Sequence, residues 1–203
     1  SHSLNTEELK KIDSLFPIQV SEQYLENHPL DGSVLKQYLP NSLELIDPPG
    51  YSHDPVGDIA ATQQTGVIKK YNHRVLLITN NTCPIHCRYC FRKDFPYPQS
   101  NPTTHQFKNA LDFCLQDTTI NEVILSGGDP LSLEDETLDY LFKAIEKIPH
   151  IKTIRLHTKF PSVFPQRITD KLITTLNECT LNKVCVFHIN HPDEINQEFS
   201  GVV

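Results

Sequence analysis

A short apolar run leads directly into a loop with three cysteines, and this stretch decides the fold. It reads Arg74-Val75-Leu76-Leu77-Ile78-Thr79, followed by Asn80-Asn81-Thr82-Cys83-Pro84-Ile85-His86-Cys87-Arg88-Tyr89-Cys90. The apolar run predicts a buried β-strand. The cysteines come after the end of this strand, with the spacing C-x3-C-x2-C. The chain thus places three thiols together at the carboxyl end of a predicted strand.

Three more apolar runs follow along the chain, and each predicts another buried strand. They are Glu122–Ser126, Thr153–His157 and Val184–Ile189. Equivalent positions 123, 154 and 185 lie 31 residues apart, which is the length of one βα unit. Helical apolar spacing lies between the strands, at Phe107–Cys114, at Leu138–Ile145 after a predicted N-cap at Ser132, and at Leu172–Cys179.

Serial βα units indicate an α/β fold with a parallel sheet, either a (β/α) barrel or a doubly wound sheet. In both architectures the carboxyl ends of the strands carry the chemistry. The residues predicted to meet there are polar or metal-binding, and they are Cys83, Cys87, Cys90, Ser126, Gly127, Gly128, Asp129, His157, Lys159, His188, Asn190 and His191. The sequence therefore predicts one functional site at that edge of the sheet.

The first sixty residues have a different pattern from the rest. Short helical patterns occupy Thr6–Phe16, Val20–Glu26 and Ser33–Leu39. The breaker Asp47-Pro48-Pro49-Gly50 then opens a predicted loop over residues 47–66. We therefore predict an N-terminal helical extension and loop over residues 1–60, and a core of about four βα units over residues 61–203.

Composition excludes several classes of protein. Of the 203 residues, 38% are hydrophobic and 21% are charged, which fits a globular protein. No apolar run approaches the roughly 20 residues of a membrane helix. The net charge is −7 with scattered Lys and Arg, so we expect no nucleic-acid partner. The sequence has no Met, and we expect it to be part of a longer chain.

The six cysteines favour metal or redox chemistry in a reducing compartment, because the chain shows no secretion signal. We therefore expect a cytoplasmic protein. The trio Cys83, Cys87 and Cys90 allows two interpretations. Zinc would need a fourth ligand from a distant residue or His86. A [4Fe–4S] cluster would leave its fourth iron open for a small chelating molecule. The remaining cysteines lie in apolar patterns and are interpreted as small hydrophobic residues, namely Cys114, Cys179 and Cys185.

The three-cysteine loop resembles the signature of the radical S-adenosylmethionine (radical SAM) superfamily, which has a TIM-like (β/α) barrel. The resemblance implies that Cys83, Cys87 and Cys90 bind a [4Fe–4S] cluster whose open iron chelates SAM. Reductive cleavage of SAM would yield a radical that abstracts a substrate hydrogen. The segment Ser126-Gly127-Gly128-Asp129 is similar to the glycine-rich SAM segment of this superfamily. Glycines at a strand end also let the backbone approach a ligand closely, and Asp129 would accept a hydrogen bond from an ammonium group.

A wider set of motifs resembles the lysine 2,3-aminomutase family. They include Cys87-Arg88-Tyr89-Cys90-Phe91-Arg92-Lys93, Ser126-Gly127-Gly128-Asp129-Pro130-Leu131 and His188-Ile189-Asn190-His191-Pro192-Asp193-Glu194-Ile195. The resemblance implies an isomerase that converts L-α-lysine into (R)-β-lysine with a cluster, SAM and pyridoxal phosphate (PLP). It implies that Arg92 binds the substrate carboxylate, as a bidentate guanidinium can. It further assigns Lys70 to the PLP phosphate and His157 to the cofactor pocket, and implies that Lys159, His188, Asn190 and His191 line the pocket. Arg155 lies within a strand and is interpreted as an ion-pair partner in the barrel interior.

The stretch Cys90–Tyr97 and His157 are most similar to the branch of this family that serves elongation factor P. In that branch a partner ligase attaches the β-lysine to the factor. The family also tends to form homo-oligomers. These resemblances imply a functional link to elongation factor P and its ligase.

The sequence departs from the family in one respect. The PLP-binding lysine of the family lies in a Lys-Thr-Pro segment, and nothing similar occurs here. The resemblance therefore implies that this lysine and the residues that recognise the ε-amine lie outside the chain. We expect the chain alone to be truncated, poorly stable and inactive in amine migration. Two alternatives stay open: a PLP-independent radical SAM enzyme, and a zinc-stapled binding module.

Overall fold

The computed structural model describes residues 4–97 and 104–203, and it contains one six-stranded sheet in chain order. The strands are β1 (Thr62–Gln64), β2 (Val67–Tyr71), β3 (Arg74–Asn80), β4 (Glu122–Gly127), β5 (Thr153–Thr158) and β6 (Asn182–Phe187). The helices are α1 (Thr6–Leu15), α2 (Glu22–Glu26), α3 (Thr104–Gln116), α4 (Asp135–Glu146), α5 (Phe160–Val163), α6 (Asp170–Glu178) and α7 (Gln197–Val202).

The four predicted strands are confirmed as β3 to β6. They are parallel neighbours, with Val75, Val123 and Ile154 side by side in the register. The predicted helices are confirmed as α3, α4 and α6, which connect successive parallel strands. This arrangement is the α/β fold with a partial TIM-like barrel that the sequence predicts. The carboxyl ends of all four strands consequently meet at one edge.

Two antiparallel strands precede the parallel ones, and the sequence patterns do not predict them. β1 pairs with β2, and β2 pairs with β3. The prediction of a loop over residues 47–66 is therefore wrong at its end, where β1 lies. β1 is short and polar, so it carries no apolar signal. Its connection to β2 depends on Gly66, whose φ of 77° favours glycine.

Two boundaries also differ from prediction. Ser132 is not the N-cap of α4, because it lies in a 3₁₀ turn over Pro130–Ser132 and Glu134 occupies the cap position instead. Pro130 starts this separate turn, and the side chain of Asp129 caps it. β6 begins and ends two residues earlier than predicted, so His188 follows the strand rather than lying within it.

The main hydrophobic core lies between the sheet and the helices that connect its strands. Alternate strand residues such as Leu77, Leu125 and Leu156 face Phe142 and Ile145 of α4. Cys114 and Cys179 are buried in this core, as the sequence predicts. Cys185 is exposed instead, and its interpretation as a buried residue is wrong. It lies on β6, the last strand of the sheet, where most residues are exposed on both faces.

The N-terminal residues form a second hydrophobic cluster against the carboxyl edge of the sheet. α1 and α2 are followed by two 3₁₀ turns at Leu35–Gln37 and Ser42–Leu45. Their buried side chains pack with Ile85 of the three-cysteine loop, and they are Tyr24, Val34, Leu35 and Tyr38. No helix in the described part of the chain is long and apolar enough to cross a membrane.

A buried carboxylate links this N-terminal cluster to the ends of two strands. The side chain of Glu194 accepts hydrogen bonds from Lys159 Nζ at 2.7 Å and from the hydroxyl of Tyr38 at 2.9 Å. The backbone N–H groups of Asn190 and His191 donate to its other oxygen. Burial alone would raise the pKa of Glu194, but the bonds from Lys159 and Asn190 outweigh it and lower the pKa to about 2.

Replacing this carboxylate is therefore expected to destabilise the fold. Glu194→Gln leaves the Lys159 ammonium buried without its counter-charge, and we expect a loss of about 3 kcal/mol in the free energy of unfolding at pH 7. The pKa is lowered in the folded state, so the stabilisation is present above about pH 5 and is lost as the pH falls toward 2. Urea unfolding across this range measures both effects.

The matched control is Glu136→Gln, which removes a carboxylate from an exposed pair with Lys171. We expect no measurable change there. Equal unfolding free energies for Glu194→Gln and the wild type at pH 7 would contradict this role of Glu194.

Candidate functional site

A cleft of about 340 Å³ lies at the carboxyl ends of the parallel strands. It receives side chains from the three-cysteine loop and from the segments that follow β4, β5 and β6. The residues that line it include Cys83, Cys87, Cys90, Arg92, Ser126, Gly127, Gly128, Asp129, His157, Lys159 and His188. The structure thus brings together most of the residues that the sequence placed at this edge.

Three thiols face this cleft, and all of them are partly buried and unbridged. Burial raises the pKa of the Cys83 thiol to about 12, and burial likewise raises the pKa values of Cys87 and Cys90. The thiolate is the form that binds metal. A bound cation must therefore displace protons and offset the cost of three buried negative charges.

The arrangement of the thiols distinguishes a cluster from a single ion. Among the residues that the structure describes, no three His, Cys, Asp or Glu side chains converge closely enough to hold one metal ion. A structural zinc ion needs four ligands within about 2.3 Å of a single point. In an iron–sulfur cluster each thiolate binds a different iron, so the thiols share a cleft without converging. The three cysteines fit a cluster better than zinc.

Two glycines at the end of β4 pack against the base of the cysteine loop. A Cβ atom at Gly128 would lie 2.2 Å from the carbonyl oxygen of Thr82. Gly127 has a φ of 112°, which favours glycine, and a Cβ there would meet the carbonyl oxygen of Asn80 at 2.9 Å. The close approach in this structure is therefore to the protein's own backbone. Glycine is required here because the loop leaves β3 directly beside β4.

The carboxylate of Asp129 is buried, and protein donors satisfy it. It accepts hydrogen bonds from the hydroxyl of Thr158 at 2.8 Å and from the backbone N–H groups of Leu131 and Lys159 at 3.0 and 2.6 Å. Burial raises its pKa to about 6. These bonds join the ends of β4 and β5. In this structure Asp129 thus fixes the floor of the cleft, whereas the sequence assigned it to an ammonium group of the cofactor.

Arg92 stands where the cleft adjoins a second cavity of about 480 Å³. Its Nε donates to Asp58 Oδ2 at 2.7 Å, and an Nη atom lies 3.4 Å from Ser126 Oγ. Lys70 pairs with the other oxygen of Asp58. Arg74 also lines this cavity, so its lining has three cations and only one carboxylate, that of Asp58. The second cavity is consequently suited to an anionic group.

The two histidines at the cleft are uncharged at neutral pH. Burial lowers the pKa of His157, and nearby Arg155 lowers it further. Burial also lowers the pKa of His188, with a second contribution from Lys159. Neutral imidazoles can accept hydrogen bonds from a ligand.

Other predicted pocket residues lie elsewhere. Asn190 and His191 do not line the cleft, because they form the turn whose N–H groups bind Glu194. The ammonium of Lys159 points into the same buried network. Arg155 Nε pairs with Glu122 at 2.6 Å, which confirms its interpretation as an ion-pair partner. The sequence patterns missed Asp58, a buried carboxylate in a segment with no periodic signal.

Comparison with known proteins agrees with this site. A family model described as the radical SAM superfamily matches residues 77–199, more than half of the chain. The L-lysine 2,3-aminomutase of Haemophilus influenzae is 40% identical over 190 residues, which cover 92% of this chain and 56% of the relative. The enzyme of that name from Buchnera aphidicola is 38% identical over 96% of this chain and 58% of the relative. That from Escherichia coli is 36% identical over 91% of this chain and 55% of the relative.

The chain spans less than two thirds of the length of these relatives. The family match covers the parallel strands from within β3 onward, together with the cysteine loop and the cleft. It implies the cluster and SAM that the three thiols fit. By its sequence, its partial barrel and its three-cysteine cleft, the chain belongs to the radical SAM superfamily.

Proposed function

We propose that this protein is an L-lysine 2,3-aminomutase that converts L-α-lysine into (R)-β-lysine. The observation that carries the proposal is the shared cleft of Cys83, Cys87 and Cys90, which adjoins a cation-lined cavity at Arg92. The names of the three relatives, at 36–40% identity, support it. The proposal concerns the whole protein, because the chain spans only 55–58% of their length.

In this proposal the three thiolates hold a [4Fe–4S] cluster and the cleft holds SAM. When bound, these groups supply hydrogen abstraction by a carbon radical. The protein's part is to position them and to exclude water. Gly127 and Gly128 keep the cleft floor close to the cysteine loop, and the neutral ring of His157 is available to a cofactor atom.

The second cavity accommodates the anionic groups of the substrate and PLP. PLP, when bound, stabilises the migrating amine. Arg92 is assigned to the substrate carboxylate, and Lys70 to the PLP phosphate. Both side chains are oriented by the buried carboxylate of Asp58, which holds them 12 and 34 residues away in sequence. No lysine of this chain is assigned as the PLP anchor.

We further propose that the product serves elongation factor P through a partner ligase, in the cytoplasm, and that the whole protein forms homo-oligomers. The similarity of Cys90–Tyr97 and His157 to that branch supports the first statement. It is tested by the mass of elongation factor P from cells with and without this gene. An unchanged β-lysyl mass in cells lacking the gene would point to lysine catabolism instead.

Iron–sulfide reconstitution without oxygen tests the cluster. We expect about four irons per chain, and formation of 5′-deoxyadenosine after SAM and dithionite are added. Cys83→Ala, Cys87→Ala and Cys90→Ala should each lose most of the iron, because each removes one of three ligands. Cys185→Ala is the matched control, because this exposed thiol lies on β6 away from the cleft, and it should keep wild-type iron. Stoichiometric zinc without iron would instead support the zinc-stapled module.

Arg92→Lys in the full-length protein tests substrate binding. Lysine keeps the charge but cannot bind a carboxylate bidentately, so we expect the KM for L-lysine to rise about 10- to 100-fold at unchanged iron content. Lys93→Ala, which removes the neighbouring exposed cation, should leave KM unchanged. A wild-type KM in Arg92→Lys would assign the substrate carboxylate to another residue.

A further inference from the structure

The three-cysteine loop is held from outside by the N-terminal residues 16–44, which we call the N-terminal clamp. Gln19 makes two contacts with the loop. Its Nε2 donates to the carbonyl oxygen of Cys83 at 2.7 Å, and its own carbonyl oxygen accepts from the N–H of His86 at 2.9 Å. The ring of His86 is stacked on Phe16 with centroids 4.9 Å apart, and its Nδ1 lies 2.9 Å from the carbonyl oxygen of Pro17.

Arg88, between the second and third cysteines, makes the strongest contact. Its guanidinium binds both carboxylate oxygens of Glu44, with distances of 2.6 to 3.2 Å. The remaining donors reach the carbonyl oxygens of Phe16 and Pro17 at 3.0 to 3.1 Å. Only 6% of the Arg88 side chain is exposed, and 17% of the Glu44 side chain. A largely desolvated, bidentate pair of this kind is strong and specific in geometry.

Apolar packing and a backbone bond complete the grip. Ile85 is 2% exposed and packs with Tyr24, Leu35 and Tyr38 of the clamp. The N–H of Arg88 donates to the carbonyl oxygen of Gln37 at 2.8 Å. The side chains between the cysteines thus point into the clamp, whereas the thiols line the cleft.

We propose that the N-terminal clamp is a positioning element for the iron–sulfur cluster, and that the Arg88–Glu44 pair is its main latch. This inference rests on the proposed cluster. Side chains that orient metal ligands typically contribute 10- to 100-fold to metal retention when they are mutated. The clamp fixes the backbone that carries all three ligands, so weakening it should release iron without removing any ligand.

The experiment measures the rate of iron release to a chelator from the reconstituted full-length protein, without oxygen. We expect Glu44→Gln to release iron about 10-fold or more faster than the wild type. Glu8→Gln is the matched control. Glu8 and Glu44 both receive the N-cap N–H in a capping box, at 2.9 Å, but Glu8 lies in α1, outside the clamp. It should release iron at the wild-type rate.

A second pair of variants covers the case in which Glu44→Gln fails to fold. Gln19→Ala removes one exposed hydrogen bond to Cys83, and it should release iron faster with an unchanged thermal midpoint. Gln23→Ala, on the exposed face of α2, is its control. Wild-type release rates in Gln19→Ala and in any folded Glu44→Gln would overturn the clamp and leave the proposed function intact. A wild-type protein that binds no iron would overturn the proposed function, and the clamp with it.

Discussion

The close packing of the β4 terminus on the start of the cysteine loop is the constraint on which this structure depends. Asn80 holds both sides. Its Nδ2 donates to the carbonyl oxygen of Asp129 at 2.8 Å, its Oδ1 accepts from the N–H of Thr82 at 2.9 Å, and its carbonyl oxygen accepts from the N–H of Gly128 at 2.8 Å. A side chain at Gly128 would collide with Thr82. These contacts fix where the loop begins, and hence where Cys83 lies.

From that point two sets of contacts define the site. On one side, the clamp around Arg88 determines the outer course of the loop. On the other, Asp58 ties Arg92, just after the third cysteine, to Lys70 on the antiparallel hairpin. The loop therefore joins the thiol cleft to a cation-lined cavity. This arrangement explains how one loop serves both a metal cofactor and an anionic substrate in the proposed reaction.

The sequence predicts the parts of the fold that repeat and the parts of the site that form local motifs. Apolar runs 31 residues apart locate β4, β5 and β6, and the cysteine spacing locates the cluster loop. It cannot predict partners that are distant in the chain, such as Glu44 for Arg88 or Glu194 for Lys159, because nothing local marks them. The polar strand β1 and the exposure of Cys185 depend likewise on tertiary neighbours.

An iron-edge anomalous diffraction map of the reconstituted protein with SAM tests the central claim most directly. The account predicts four irons in the cleft, three of them bonded to Cys83, Cys87 and Cys90. The fourth iron should have no protein ligand and should contact SAM. A single metal ion bound by the cysteines, or a protein side chain on the fourth iron, would contradict it.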